Sequence, residues 1–142
     1  MVLSRKRILK AEMLRCIPEL ADASDKELAR LASLFDEVDY AKGSVLIREG
    51  DIGREAFVII EGKVAVTLGR RTLAILGPGE VVGEMSLLDG GPRSATVTAI
   101  ENVRALVASR LGFAEFTERP VGWRTLGRAM SGRIRGRQPV AR

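Results

Sequence analysis

The sequence contains no histidine and only one cysteine, Cys16. These absences exclude histidine-based acid–base catalysis, a Cys-His nucleophile pair, a tetrahedral zinc site and an internal disulfide. No stretch approaches the roughly 18 consecutive apolar residues of a membrane span, and the basic residues 1–10 lack the apolar run of a signal peptide. We therefore expect a cytoplasmic protein with no membrane span, metal or cofactor.

The positive net charge is confined to the two ends of the chain. The 142 residues have a formal net charge of +5, but residues 1–10 carry four basic side chains and residues 119–142 carry seven arginines, with no acidic residue in either segment. Residues 11–118 hold all 18 acidic side chains against 12 basic ones, a net charge of −6. Basic ends can bind nucleic acid or acidic partners, but they are more often only solvated, so we do not expect a nucleic-acid partner.

The length fits one domain, which we place at residues 1–135. Its first part, residues 8–35, is predicted to be helical. Apolar residues from Ile8 to Ile17 recur at spacings of three and four, which predicts an amphipathic helix interrupted at Pro18. Ser24, followed three residues later by a glutamate, matches a capping box and predicts a second helix from Asp25 to Phe35.

The middle of the domain, residues 36–109, has the period of β-strands. Apolar runs of four to six residues end at turns that contain glycine, and seven or eight such runs predict a closed roll or sandwich. Residues 110–135 return to a helical period, although Gly122, Gly127 and Gly132 each lower the propensity of the final helix by about 1 kcal/mol relative to alanine. Residues 136–142 are expected to be a basic, disordered tail.

One segment, Val82 to Thr96, interrupts the β pattern. Its residues 84–88 are good helix formers that follow Gly83, so a short helix should begin there. The unpaired amides of a helix start attract anions, and a glycine lets a ligand approach the backbone closely. Arg93 adds a planar guanidinium suited to phosphate, whereas Glu84 would repel phosphate and instead suits a sugar hydroxyl. The segment therefore predicts a site for a nucleotide monophosphate.

Each of these residues also has a purely structural interpretation. Gly83 could serve only a tight turn, and Glu84 could be a carboxylate that stabilises a helix start. Arg93 could form a surface ion pair with Glu84 or Asp89. It is the combination of the three that favours a ligand site.

Three motifs in the same order resemble the cyclic-nucleotide-binding domain. They are VLIREGD at residues 45–51, FVIIEGKV at residues 57–64, and GEMSLL followed after four residues by RSATV at residues 83–97. Protein kinase A regulatory subunits, the bacterial catabolite activator and cyclic-nucleotide-gated channels share this domain, and the motifs are most similar to those of bacterial cyclic-nucleotide-gated potassium channels. The resemblance implies a mainly β fold with flanking helices: an eight-stranded β-roll (a double-stranded β-helix of jelly-roll type) with N-terminal helices, a short phosphate-cassette helix and C-terminal helices.

The resemblance also implies a ligand site. In the family, the residue that matches Glu84 binds the ribose 2′-hydroxyl, the one that matches Arg93 binds the cyclic phosphate, and those that match Gly83, Ser86 and Ser94 line the phosphate. Arg133 falls near the position where the channel relatives carry an arginine in the helix that closes over the base. The candidate ligand-binding residues are Val82, Gly83, Glu84, Met85, Ser86, Arg93, Ser94, Ala95 and Arg133.

The function implied is that of a regulatory sensor, not an enzyme. Its ligand would be cyclic AMP or possibly cyclic GMP, and its C-terminal helix would close on the ligand and signal to a protein effector of unknown identity. In eukaryotic relatives a threonine directly after the cassette arginine goes with cyclic GMP, so Ser94 favours cyclic AMP.

Three alternatives are open. The first is a scaffold or interaction domain of the same fold that no longer binds nucleotide. The second is an enzyme on the similar cupin fold, which usually needs a metal held by histidines. The third is a nucleic-acid-binding regulator, which would need a further DNA-binding domain after the last helix.

Overall fold

The computed structural model describes residues 10–84 and 90–134, with side chains up to residue 129. Within these residues the chain forms eight strands: β1 (Asp36–Tyr40), β2 (Val45–Ile47), β3 (Glu55–Glu61), β4 (Val64–Leu68), β5 (Arg71–Leu76), β6 (Val81–Val82), β7 (Thr96–Ala99) and β8 (Val103–Ser109). They build two antiparallel four-stranded sheets, in the orders β1-β8-β3-β6 and β2-β7-β4-β5. This arrangement, with helices on either side in sequence, confirms the predicted fold class.

Helices precede and follow the strands. The helix α1 spans Asp25–Ala32, α2 spans Arg110–Glu118 and α3 spans Pro120–Ile134. Residues 10–13 are also helical, and two 3-10 turns follow them, η1 (Leu14–Cys16) and η2 (Pro18–Leu20). None of the helices in this part of the chain is both long and apolar enough to cross a membrane.

Strand β3 is buried on both faces and separates two hydrophobic cores. Phe57 and Ile59 point between the two sheets, while Ala56 and Val58 point towards the helices. The inter-sheet core consists of Ile47, Phe57, Ile59, Val64, Val66, Leu76, Val82, Ala95, Val97, Ala99, Val103, Ala105 and Val107. The helical core includes Leu14, Leu20, Leu28, Leu31, Phe35, Val58, Leu106, Phe113, Phe116 and Leu126. A strand covered on both faces has a continuous apolar run instead of an alternating one, as residues 57–60 do.

The predicted first helix, Ile8 to Ile17, is wrong in its second half. Residues 8 and 9 lie outside the described residues, and from Leu14 the helix tightens into η1. A proline disfavours the helical conformation in the residue before it. Ile17 is accordingly extended, with φ −74° and ψ 119°, immediately before Pro18.

Helix α1 begins as predicted but ends three residues early. The Ser24 hydroxyl accepts a hydrogen bond from the Glu27 amide at 3.1 Å, as an N-cap does. The helix ends at Ala32 and not at Phe35, and the Ser33 hydroxyl donates to the Arg30 carbonyl at 2.7 Å. A serine that bonds locally to the backbone competes with helix continuation. Phe35 is nevertheless buried.

Helix α3 is fastened to the N-terminal turns by three polar side chains, which we call the α3 latch: Glu19, Thr125 and Arg128. The Glu19 carboxylate accepts from Thr125 Oγ1 at 3.0 Å and from Arg128 Nε at 2.8 Å. Arg128 Nη2 also donates to the Gly79 carbonyl at 3.2 Å. Burial opposes the charged form of Glu19, but the hydrogen bonds from Arg128 and Thr125 outweigh it and lower the pKa of Glu19. The latch therefore stabilises a helix that its glycines would otherwise weaken.

We expect Glu19→Gln to lower the free energy of unfolding by about 1 to 3 kcal/mol at pH 7, because hydrogen bonds to a charged group are worth about that much. A carboxyl whose pKa is lowered on folding contributes stability above its ordinary pKa, here 4.5, and loses it as the pH falls through the lower value in the folded protein. Denaturant unfolding at pH 7 and at pH 3 should thus show the difference between parent and variant shrinking in acid.

The matched control is Glu12→Gln, which removes the carboxylate of a surface ion pair to Arg15, where the Glu12 side chain is 51% exposed. Exposed pairs contribute about 0 to 1 kcal/mol. Two outcomes would contradict a stabilising role of the α3 latch. One is an equal loss of unfolding free energy in the two variants, and the other is a loss in Glu19→Gln that is as large at pH 3 as at pH 7.

Candidate functional site

The candidate site forms where β6 ends and β7 is about to begin. Gly83 follows β6 directly and has a positive φ of 86°. Glu84 is helical and completely buried, and the rest of the predicted short helix, residues 85–88, lies outside the described residues. Arg93 lies three residues before β7 and is only 6% exposed. The fold thus brings together the three residues on which the sequence argument depended.

The Arg93 guanidinium is held between two backbone carbonyls. Its Nη1 donates to the Gly83 carbonyl at 2.7 Å, and its Nη2 donates to the Glu55 carbonyl at 2.6 Å. Burial lowers the pKa of Arg93 from its ordinary value, and the nearby negative charge of Glu55 acts in the opposite direction. An arginine remains protonated in proteins, so the site carries a fixed positive charge.

The other candidate residues fall into two groups. Val82 and Ala95 are buried in the inter-sheet core, and Ser94 is half-buried between Arg93 and Ala95. Met85 and Ser86 lie outside the described residues. Arg133 belongs to α3, but its side chain is likewise outside what is described.

A cavity of about 170 Å³ lies beside Arg93. Its walls include Ile47, Arg48, Asp51, Arg54, Phe57 and Arg93. The lining residues include three arginines and two acidic residues, Asp51 and Glu55, so the formal charge of the walls is +1, which favours an anionic occupant.

A larger cleft of about 400 Å³ lies along β1 and β8 and does not share this character. Its arginine, Arg104, is already paired with Asp39 at 2.9 Å, with Glu37 at 3.2 Å and with Glu61 at 3.6 Å. The positive charge is compensated by three carboxylates, so this cleft offers nothing to an anion. No group of three or more acidic or cysteine side chains suited to a metal ion occurs among residues 10–84 and 90–129.

Sequence reasoning missed Glu55 and the connection that precedes it. The contribution of Glu55 is its carbonyl, which every residue type possesses, so no side-chain pattern could have indicated it. The only signal was that the second half of the VLIREGD motif lies just before this position.

The profile of the cyclic nucleotide-binding domain matches residues 37–119. The chain belongs to this family. The match begins in β1 and ends just after α2, so it includes strands of both sheets and the residues Gly83, Glu84 and Arg93. It confirms the resemblance inferred from the three motifs.

Relatives carry this domain in proteins of different kinds. The Cyclic AMP receptor protein of Thermus thermophilus is 36% identical over 116 residues, 78% of this chain and 54% of that protein. The cAMP-dependent protein kinase regulatory subunit of Dictyostelium discoideum is 32% identical over 117 residues, 77% of this chain and 36% of that protein. A solved structure of a cAMP-binding acyltransferase from Mycobacterium smegmatis has a TM-score of 0.77 and 27% identity, covering 91% of this chain and 42% of that one.

The chain therefore spans about half, or less, of the length of these relatives. What is common to them and to this chain is the cyclic nucleotide-binding domain.

We expect Gly83→Ala to displace Arg93. A Cβ at Gly83 would lie 2.7 Å from Arg93 Nη1, 3.0 Å from Ile47 Cδ1 and 3.2 Å from the Glu55 carbonyl oxygen. A left-handed backbone costs a non-glycine residue about 1 to 2 kcal/mol. Loss of a hydrogen bond from the charged guanidinium adds about 1.5 to 3 kcal/mol. Denaturant unfolding measures the sum.

Gly43→Ala is the matched control, because Gly43 has a similar φ of 94° and open space around the added Cβ. Gly43→Ala should lower the free energy of unfolding only by the cost of the left-handed backbone, about 1 to 2 kcal/mol. If the two alanine variants are destabilised equally, the contact between Gly83 and Arg93 does not constrain the site.

Proposed function

We propose that this domain binds a cyclic nucleotide, cyclic AMP, and acts as a regulatory sensor. The observation that carries the proposal is the buried Arg93 guanidinium, which donates to the carbonyl of Gly83, a positive-φ glycine directly followed by the completely buried Glu84. A fixed positive charge next to the start of a helix attracts phosphate, and an adjacent carboxylate can accept a hydrogen bond from a sugar hydroxyl.

Each candidate residue has a proposed role. Arg93 binds the cyclic phosphate together with the backbone at Gly83 and the hydroxyls of Ser86 and Ser94. Glu84 binds the ribose 2′-hydroxyl. The remaining candidates shape the pocket around the ligand: Val82, Met85 and Ala95 from the β-roll side, and Arg133 from the C-terminal helix.

The domain is proposed to have no catalytic activity of its own. Its cluster of a guanidinium, backbone groups and a carboxylate supplies groups that bind, and its relatives include a receptor, a kinase regulatory subunit and an acyltransferase. Such variety supports a sensor unit, residues 1–135, whose output depends on the effector that it contacts or to which it is joined.

Helix α3 is the element best placed to carry the signal. The α3 latch and Leu126 fix one face of the helix, while Trp123 remains 64% exposed. A ligand that binds one position of α3 more tightly than another shifts the population between them, and an effector can respond to that shift.

We expect the purified chain to bind cyclic AMP and Arg93→Ala to weaken that binding by about 2 to 4 kcal/mol, or about 30- to 700-fold. Removing one member of a buried charge pair has this effect because the phosphate is left without its partner. Arg93→Lys should recover only part of the affinity, since an ammonium cannot bond to both carbonyls and the phosphate in the same plane.

Titration calorimetry measures both affinities, with Arg71→Ala as a control for the loss of one exposed positive charge on β5. If the folded parent, shown to be free of nucleotide, does not bind millimolar cyclic AMP, the sensor proposal fails and the domain is a scaffold.

We expect a modest preference for cyclic AMP over cyclic GMP. Serine at position 94 keeps a hydroxyl but lacks the methyl group that restricts the threonine rotamer, so it holds a guanine contact less firmly. Competition against a fluorescent cyclic AMP measures the ratio of affinities, and Ser94→Thr should move it towards cyclic GMP. A parent that favours cyclic GMP tenfold or more would refute the assignment.

A further inference from the structure

The cavity of about 170 Å³ beside Arg93 has an apolar interior and a charged rim. Its buried lining residues are Ile47, Phe57 and Arg93, which are 3%, 2% and 6% exposed. Its exposed lining residues, apart from Ile52, all carry a charge: Arg48, Asp51, Arg54 and Glu55. An ion that enters this cavity is partly removed from water, and hydrogen bonds to its charge are stronger there than on an open surface.

This cavity is distinct from the site proposed for the nucleotide. Among the described candidate residues of the nucleotide site, Arg93 alone lines it. The other described candidates, which are absent from its walls, are Val82, Gly83, Glu84, Ser94 and Ala95. The walls are formed instead by β2, by residues 48–54 and by the beginning of β3. Arg93 therefore borders two different spaces.

Two arginines of the rim are available to bind an anion. Within residues 10–84 and 90–129, the side chains of Arg48 and Arg54 form no hydrogen bond or ion pair. Arg104 and Arg128, in contrast, are paired with the carboxylates of Asp39 and Glu19. A guanidinium has a planar fork of N–H donors that matches the oxygens of a tetrahedral anion. The rim thus has donors that the protein itself does not occupy.

The two carboxylates of the rim favour one kind of anion over others. Asp51 and Glu55, when ionised, accept hydrogen bonds and cannot donate them. They repel an anion that has only acceptor oxygens, but they can bind one that also has an O–H group. Inorganic phosphate keeps one or two O–H groups near neutral pH, whereas sulfate has none. A phosphate monoester has a second pKa of about 6 and is mostly without an O–H group at pH 7.5, and a cyclic phosphate diester lacks an ionisable O–H group altogether.

We propose that this cavity is a binding site for inorganic phosphate. Arg48, Arg54 and Arg93 donate to its oxygens, and Asp51 and Glu55 accept from its O–H groups. The carboxylates supply selectivity by repelling anions that cannot donate. Because the rim is exposed, we expect a dissociation constant of about 1 mM. The proposal does not rest on the proposed function, since the cyclic phosphate of a nucleotide has no hydrogen for these carboxylates.

The first test compares three anions by NMR at pH 7.5 and constant ionic strength. Sodium phosphate should shift the Nε–H signals of Arg48 and Arg54 in a saturable way, and sodium sulfate and ribose 5-phosphate should bind at least tenfold more weakly. Arg54→Gln should weaken phosphate binding about three- to tenfold, whereas Arg71→Gln, which removes an exposed charge on β5, should leave it unchanged. The proposal is overturned if phosphate does not bind saturably, or if sulfate or the ester binds as tightly as phosphate.

The second test replaces each carboxylate of the rim by the amide of the same shape. In Asp51→Asn and Glu55→Gln the new NH₂ group can donate to sulfate. We expect the ratio of phosphate to sulfate affinity to fall at least fivefold in one or both variants. Loss of a negative charge alone strengthens the binding of both anions and leaves the ratio unchanged. Glu49→Gln is the matched control, because Glu49 is exposed nearby but does not line the cavity. An unchanged ratio in both rim variants would refute recognition through the O–H group.

The third test repeats the phosphate titration with saturating cyclic AMP. If the two sites are separate, the affinity for phosphate should stay within about threefold of its value without nucleotide. Competitive displacement, in which the apparent dissociation constant rises in proportion to cyclic AMP, would mean that both anions share one site and would overturn the proposal. A parent that does not bind cyclic AMP refutes the proposed function alone, because the comparison of phosphate with sulfate still decides whether the cavity binds phosphate.

Discussion

A buried guanidinium is the constraint on which the candidate site depends. Taking a charged group out of water is costly unless acceptors surround it. Arg93 obtains two of them from Gly83 and Glu55, which belong to segments that are distant in sequence. These segments, at the ends of β6 and at the beginning of β3, must therefore be correctly placed before Arg93 can be buried. The geometry of the candidate anion site consequently depends on the correct folding of this part of the roll.

The two hydrophobic cores supply the rigidity that this arrangement requires. Strand β3 contributes alternate residues to each core, so it is packed from both sides along the stretch that follows Glu55. Close-packed interiors resist small displacements. The Glu55 carbonyl is thereby held at the edge of a stiff strand, where it can orient Arg93 without a dedicated side chain.

The sequence was most informative where side chains carry the chemistry and least informative where the backbone does. The residue types and spacing of Gly83, Glu84 and Arg93 indicated a ligand site, which stays a prediction, and the alternating apolar runs were sufficient to predict a roll of short strands. The change from α-helix to 3-10 turn at Leu14 could not be predicted from the apolar spacing, because Leu14 is buried in the 3-10 turn as it would be in a helix. The role of the Glu55 carbonyl and the α3 latch could not be predicted, because both depend on contacts between residues far apart in sequence, such as Glu19 and Arg128. Local sequence patterns do not indicate such pairs.

The hydrogen bond from Arg128 to the Gly79 carbonyl attaches α3 to the chain just before β6. Gly79 lies two residues before β6, whose end carries Gly83, so the attachment point of the helix and the candidate site are on one short stretch of chain. The 15 residues of α3 span about 22 Å at 1.5 Å per residue, so a tilt of about 5° at Pro120 moves the far end by about 2 Å. Under the proposed sensor function, a small rearrangement at the site would be amplified along α3 into a larger displacement of its far end.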